Sequence, residues 1–347
     1  MRAVIRLIAC VFVLGFFAIK SYSFVPNTEQ ANQKNETYDP VPNIMHHIAD
    51  AHEWHLWGEE ENSFSIPLPV ILFTEGHLDV FLSSKFHHGH STVTKGNRVY
   101  SIDSHGHIHE GSGLSVIDIS ITKNVAFMLI SVLLLLLIFI SIAKTYNKNK
   151  KAPTGFQAFL EPLILFVKDD IIKDNIGPKY EKYTPFLLTV FFFVLINNLM
   201  GMLPGSANVT GNIAVTFVLS VFTFIITTIS GNKNYWGHIF KPPGVPLALM
   251  PIMVPIEIIG IFTKPFALMI RLFANITAGH IIILSLISLI FIAQSAMGNA
   301  GAWGVAPVSV LFVLFIYCIE LLVAFLQAYI FTLLSAVFIG LAVAEDH

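Results

Sequence analysis

Charge is what this sequence has least of. Asp, Glu, Lys and Arg make up 12% of its 347 residues, against about 25% in ordinary soluble domains. Hydrophobic residues reach 54% and the mean hydropathy is +0.70. So little charge cannot cover a water-facing surface, and we expect an integral membrane protein. Between Lys182 and Lys233 no charged residue occurs, and between Lys241 and Glu345 only Glu257, Lys264, Arg271 and Glu320 do. A net charge of −2 supplies no basic face for nucleic acid. Cysteine is nearly absent too, with Cys10 and Cys318 alone. Loss of an N-terminal leader containing Cys10 would exclude an intrachain disulfide. No Gly-x-x-x-x-Gly-Lys-Ser/Thr loop is present, so nucleotide chemistry is not expected of this chain by itself.

What is there begins with Arg2 and Arg6, an apolar stretch from Leu7 to Ile19, and Ser21-Tyr22-Ser23. This is the order of a secretory signal peptide, expected over 1–23; a short first membrane helix is the alternative. Residues 24–123 are polar and hold eleven of the fourteen histidines, and a segment following such a leader is expected outside the cytoplasm. Ile44 to Trp57 reads as a helix, and Ile66 to Val80 and Arg98 to Ile108 as short strands. His87-His88-Gly89-His90 and His105-Gly106-His107-Ile108-His109 have ligand-like spacing, since alternate strand residues share a face. No cysteine accompanies them, which speaks against a structural zinc centre. No metal is assigned, and His87, His88, His90, His105, His107 and His109 stand as weak candidates beside the simpler reading of a solvated, pH-sensitive surface.

Residues 124–347 form the expected membrane domain. The run 124–143 is about the length of one span and is followed by Lys144, Lys148, Lys150 and Lys151. By the positive-inside rule it runs from outside to cytoplasm. Phe156 to Ile172 mixes apolar residues with Glu161, Lys168, Asp169 and Asp170, as an amphipathic helix on the cytoplasmic surface would. Spans 184–203 and 211–230 follow. Two stretches, 246–292 and 303–344, exceed one perpendicular crossing and are expected to tilt or bend, with Pro251, Pro255 and Pro265 as break points in the first.

Arg271 lies deep in the first long stretch. A guanidinium there costs roughly 2.5–3.5 kcal/mol on insertion scales and cannot escape by losing its proton. At 3.6 residues per turn Glu257, Lys264, Arg271 and Asn275 fall within about 40° of one stripe, with His280 opposite Arg271 and about 13 Å further along. Glu320 and Gln327, seven apart, share a face of the second stretch. Counted from the connection, His280 matches Glu320 in depth and Arg271 matches Gln327. The pattern suits an arginine facing a partner beside a carboxylate and histidine that relay protons. Asn275 and Gln327 serve equally as interhelical hydrogen-bonding groups, and Lys264 as a structural charge.

At these residues the chain resembles subunit a of the rotary F-type ATP synthase. The likeness is carried by Arg271-Leu272-Phe273-Ala274-Asn275 with Ala278-Gly279, by Glu320 with Leu326-Gln327-Ala328-Tyr329-Ile330-Phe331, by Asn197-Asn198-Leu199-Met200-Gly201-Met202-Leu203-Pro204, and by the ending Ala344-Glu345-Asp346-His347. The resemblance implies an all-α membrane fold of about five embedded helices. Two long tilted helices would form a hairpin against a ring of c subunits, with a small exported N-terminal segment. It implies a proton-channel stator subunit in a bacterial inner membrane, non-catalytic by itself and without cofactor. Its partners would be the c-ring, the b stalk, the rest of the synthase and the bilayer, with the mature N-terminus outside and the C-terminus cytoplasmic. Arg271 would be the essential charge, Asn275, His280, Glu320 and Gln327 would line the inlet half-channel, and Glu257 the outlet. Many bacterial members carry a carboxylate at the place of His280 and a histidine at that of Glu320; here the two are exchanged. The coupling ion is expected to be H⁺.

Two other classes are weighed. A secondary transporter should show paired halves, and no internal repeat occurs. A metal-uptake protein should carry its ligands into the spans, where only His280 is found.

Overall fold

The computed structural model describes residues 40, 41, 44, 50–57, 64–89, 91–103, 106–148, 155–203, 205–241, 246 and 249–344. The expected signal peptide at 1–23 lies outside the described residues. Two compact units are present. One comprises Met1–Ile130, Met200–Val209 and His280–Ile316, and the other Ser131–Leu199, Thr210–Gly279 and Tyr317–His347.

The first unit carries a β module. Strand β1 (Glu53–Trp57) pairs with β2 (Phe64–Pro67); β3 (Pro69–Thr74) lies between β4 (His77–Leu82) and β8 (Ile117–Asp118); and β6 (Arg98–Ile102) lies between β5 (Val93–Lys95) and β7 (Ile108–Glu110), every pairing antiparallel. Alternation builds the core. Val70, Leu72 and Thr74 of β3 turn inward and join Phe81, Phe86, Val93, Tyr100 and Ile108. The buried Tyr100 hydroxyl donates to Asp79 Oδ2 at 2.7 Å, and Arg98 Nη1 pairs with the same oxygen at 3.0 Å. The helix expected over Ile44–Trp57 is corrected at its end, where β1 occupies Glu53–Trp57. Trp54 and His55 pair with Ile66 and Ser65 in a two-stranded ladder that a 3.6-residue period does not capture.

The helices follow. Helix α1 spans Lys123–Lys148. Helix α2 (Phe156–Phe166) continues into a π-helical segment, Val167–Lys173, whose Val167, Ile171 and Ile172 are buried. Helix α3 is Tyr180–Gly201, α4 is Ile213–Ser230 and α5 is Lys233–Phe240. Asn212 and Asn232 cap α4 and α5, their side-chain oxygens accepting from Ala214 N and Tyr235 N. Helix α6 (Met250–Val343) is two limbs joined at Gly298, whose φ of 66° is the one non-helical conformation inside it. From sequence, the Gly-containing segment Ser295–Gly304 is expected to separate the two long stretches. Gln294, Ala296, Met297, Ala300 and Ala302 favour helix, so the break contracts to the glycine. At 1.5 Å per residue the limbs are about 72 and 68 Å long, over twice the hydrocarbon thickness of about 30 Å.

Among the described residues, four helical runs are long and apolar enough to cross a membrane: Lys123–Lys144, Gln157–Gly201, Ile213–Ser230 and Met250–Val343. The chain is a multi-pass membrane protein. In the second unit Leu187, Phe191, Leu268, Leu272, Ala328 and Ile339 lie in one buried core.

Candidate functional site

Leu268, Leu272 and Ile276 bury one face of the first limb. The opposite face is left exposed over Ala267, Ile270, Arg271, Ala274, Asn275 and Ala278, at helical spacing. Arg271 thus stands on an open face whose neighbours are mostly alanine. Glu257 and Lys264 are half-buried, and Lys264 holds its Nζ 5.5 Å from the Phe338 ring centroid, a cation–π contact that fits the structural role open to it.

The second limb turns its polar groups inward. Glu320 is 5% and Gln327 2% exposed, beside the buried Ala324 and Ala328. Gln327 Nε2 donates to the Arg271 carbonyl at 3.3 Å. The Glu320 carboxylate lies against Gly279, where a Cβ would meet Oε1 at 2.8 Å and Cδ at 3.2 Å. The two limbs therefore touch at both of these depths. Arg271 and Gln327, expected at matching depth, meet through the arginine's backbone carbonyl.

Asn198, which sequence reasoning used only as a motif residue, positions this limb. Its Nδ2 donates to the Ala324 carbonyl at 3.1 Å, and its Oδ1 accepts from Thr210 Oγ1 at 2.7 Å. Ala324 is four residues after Glu320 and three before Gln327, so one buried amide fixes the turn between them. Thr223 and Ser335 add a hydroxyl contact at 3.3 Å. The legible signal was an asparagine pair in a span without charge, where an amide is retained for hydrogen bonding.

The first unit carries His280, half-buried, and the described part of the histidine segment. His107 Nδ1 and His109 Nε2 both approach Asp103 Oδ2, at 3.4 and 3.0 Å. His87 and His88 belong to the 3-10 helix Ser83–Gly89; His90 and His105 lie outside the described residues. Among the described residues no group of three His, Cys, Asp or Glu is arranged to hold a metal ion. An open pocket of about 450 Å³ is lined by His52, His107, His109 and Asp118 among others. His52 Nε2 meets Asp118 Oδ2 at 2.8 Å. Burial alone would raise the Asp118 pKa, but the hydrogen bonds from His52 and Ser120 outweigh it and hold the carboxyl at about 2.

The family model for the ATP synthase A chain matches residues 125–340, and one for a domain of unknown function (DUF8433) matches residues 43–123. The ATP synthase subunit a of Chloroherpeton thalassium is 52% identical over 238 residues, covering 66% of this chain and 69% of that protein. ATP synthase subunit a 2 of Chlorobaculum tepidum is 49% identical over 261 residues (72% and 71%), and ATP synthase subunit a of Myxococcus xanthus 43% over 282 (78% and 90%). With a family model over more than half its length and relatives at about half identity, the chain belongs to the ATP synthase A chain family.

Proposed function

We propose that this chain is the stator half of the proton path in an F-type ATP synthase, with two half-channels separated by Arg271. The observation that carries the reading is the open, alanine-bordered face that presents Arg271, while the adjoining limb keeps Glu320 and Gln327 buried behind it. An intramembrane cation on an exposed face needs a partner anion, and small neighbours let another helix approach closely. A ring of c subunits carrying a carboxylate would supply it.

Protons would enter from the exported side past His280, Glu320, Asn275 and Gln327 and neutralise a ring carboxylate, which then turns through lipid. On its return, the Arg271 guanidinium stabilises the carboxylate once the proton is given up toward Glu257. The fixed charge also blocks a direct leak between half-channels. Lysine would serve poorly, because a buried ammonium can deprotonate. The chain itself does no nucleotide chemistry in this reading; the rest of the complex, reached through the b stalk, does. The lysines after α1 and those bracketing α5 support an exported N-terminus and a cytoplasmic C-terminus.

The test is ATP synthesis under an imposed proton gradient in inverted membrane vesicles. Arg271→Ala is expected to abolish synthesis while the complex still assembles on native gels. Synthesis at the parent rate in that variant would reduce Arg271 to a structural charge.

A further inference from the structure

The two three-stranded sheets of the β module present different outer faces. In the sheet of β5, β6 and β7 the residues turned away from the core are Thr94, Val99, Ser101 and His109, the mostly polar set expected where an antiparallel sheet meets water. In the sheet of β3, β4 and β8 every residue of that face within the ladder is apolar. Register sets the face out in rows. Leu78, Phe73 and Ile117 lie side by side across the three strands. Val80 and Ile71 form the next row with Ile119, whose N–H donates to the Ile71 carbonyl at 2.9 Å. Leu82 and Pro69 form the third with Ile121, whose N–H donates to the Pro69 carbonyl at 3.1 Å. Leu78, Val80, Leu82, Ile117 and Ile119 are 49–61% exposed.

At about 4.8 Å between strands and about 6.7 Å between alternate residues, three rows on three strands cover on the order of 300 Å². A contiguous apolar face of that extent in a polar segment is where a protein meets a membrane or a partner. Two observations select the membrane. The first is continuity with a span: Ile121 stands two residues before Lys123, where α1 begins, so the third row adjoins a membrane helix. The module is also fastened to that helix end. Asp50 Oδ1 accepts the Asn124 N–H at 3.1 Å, and the Trp54 ring meets Phe127 edge to face at 4.9 Å while its Nε1 donates to the Gly205 carbonyl at 2.7 Å. An indole with one apolar and one hydrogen-bonded side suits the boundary between water and lipid. All of these residues, with the exposed Leu129 and Ile130 of α1, belong to one compact unit. The second observation is the makeup of the face. Protein interfaces combine apolar cores with hydrogen-bonding groups and favour Tyr, Trp and Arg, whereas this face offers only Leu, Ile, Val, Phe and Pro. Acyl chains require nothing else.

We infer that the outer face of the sheet of β3, β4 and β8 lies on the bilayer leaflet at the N-terminal end of α1, with Leu78, Val80 and Ile119 among the acyl chains just below the headgroups. Insertion stops at the side chains, because the unpaired backbone groups along the sheet edges need water. The module is thus a membrane-surface anchor whose partner is lipid. This goes beyond the proton-path reading and needs only that α1 spans the membrane.

The test uses the whole complex reconstituted in vesicles of phosphatidylethanolamine and phosphatidylglycerol. The photoreactive residue p-benzoylphenylalanine replaces Leu78, Val80 or Ile119, one at a time, with Thr94 on the other sheet as the water-facing reference. After illumination, mass spectrometry should find phospholipid adducts at all three positions, several-fold above the level at Thr94. Crosslinks to another subunit or to a second copy of this chain in place of lipid would overturn the inference, as would adduct levels no higher than at Thr94. Lipid adducts at Ile119 alone, the position nearest the span, would also overturn it, since the sheet would then stand off the bilayer. Should one replacement block assembly, the other two positions carry the same comparison.

Discussion

The β module and the helices both have apolar cores, but they differ in what else they bury and expose. In the module Val70, Leu72, Phe81 and Tyr100 are inside, and polar groups at the core are few and tied down, as Tyr100 is to Asp79. In the helices Leu129, Leu133, Leu137, Phe217, Phe222 and Phe262 are exposed, while Asn197, Asn198, Thr210, Thr223, Glu320 and Gln327 are buried. The difference follows from the solvent. Water drives apolar side chains together, whereas lipid tails are as apolar as leucine and leave hydrogen bonds and close packing to hold helices to one another. The same residue type therefore means different things in the two regions.

The sharpest break of this contrast is one substitution made in both places. Leu72→Ala, at a fully buried site of β3, should cost about 3–5 kcal/mol, whereas Leu137→Ala on the open face of α1 should cost under about 1 kcal/mol. Limited proteolysis of the detergent-solubilised chain checks this: cleavage within 50–118 should accelerate for the first variant only. Equal sensitivity would mean that Leu137 is covered by protein rather than lipid.

A middle-sized effect is expected at Gly279. An added methyl would meet Glu320 Oε1 at 2.8 Å, so Gly279→Ala should displace the carboxylate and lower proton-driven synthesis roughly tenfold, in line with the cost of small misplacements at a reacting group. Glu320→Asp, shorter by one methylene, should restore part of that loss when combined with Gly279→Ala. No recovery would separate the glycine's role from the carboxylate.

The smallest effect lies with Asp118. Its folded pKa of about 2 is below its ordinary 3.8, so its contribution to the module is fully present above about pH 4 and is lost as pH falls toward 2. Being about half solvent-facing, it should contribute no more than about 1 kcal/mol after screening. Protease resistance of the module measured between pH 5 and pH 2 should decline in the parent and change less in Asp118→Asn.

Much of the helical unit was legible in the sequence because a bilayer allows few solutions: apolar runs of the right length become helices whatever their neighbours. The stripe through Arg271 and Asn275 was legible too, since periodicity alone sets which residues share a helix face. Less could be read from the β module. The turn from helical to extended structure before Glu53 depends on β2 offering a ladder, and ladder partners lie outside any local window. Histidine spacing was likewise only partly informative. It placed His107 and His109 near each other, but Asp103 takes up both rings.

The sequence by itself determined that this is a multi-pass membrane protein with one arginine inside a long apolar helix, because composition and helical period are properties of the chain alone. Tertiary structure decided which groups meet. The Gln327 amide found the Arg271 backbone, Asn198 fixed the limb between Glu320 and Gln327, and Asp50 came to the end of α1. Those contacts join residues far apart in the chain, through hydrogen bonds whose geometry exists only once the helices and strands are packed.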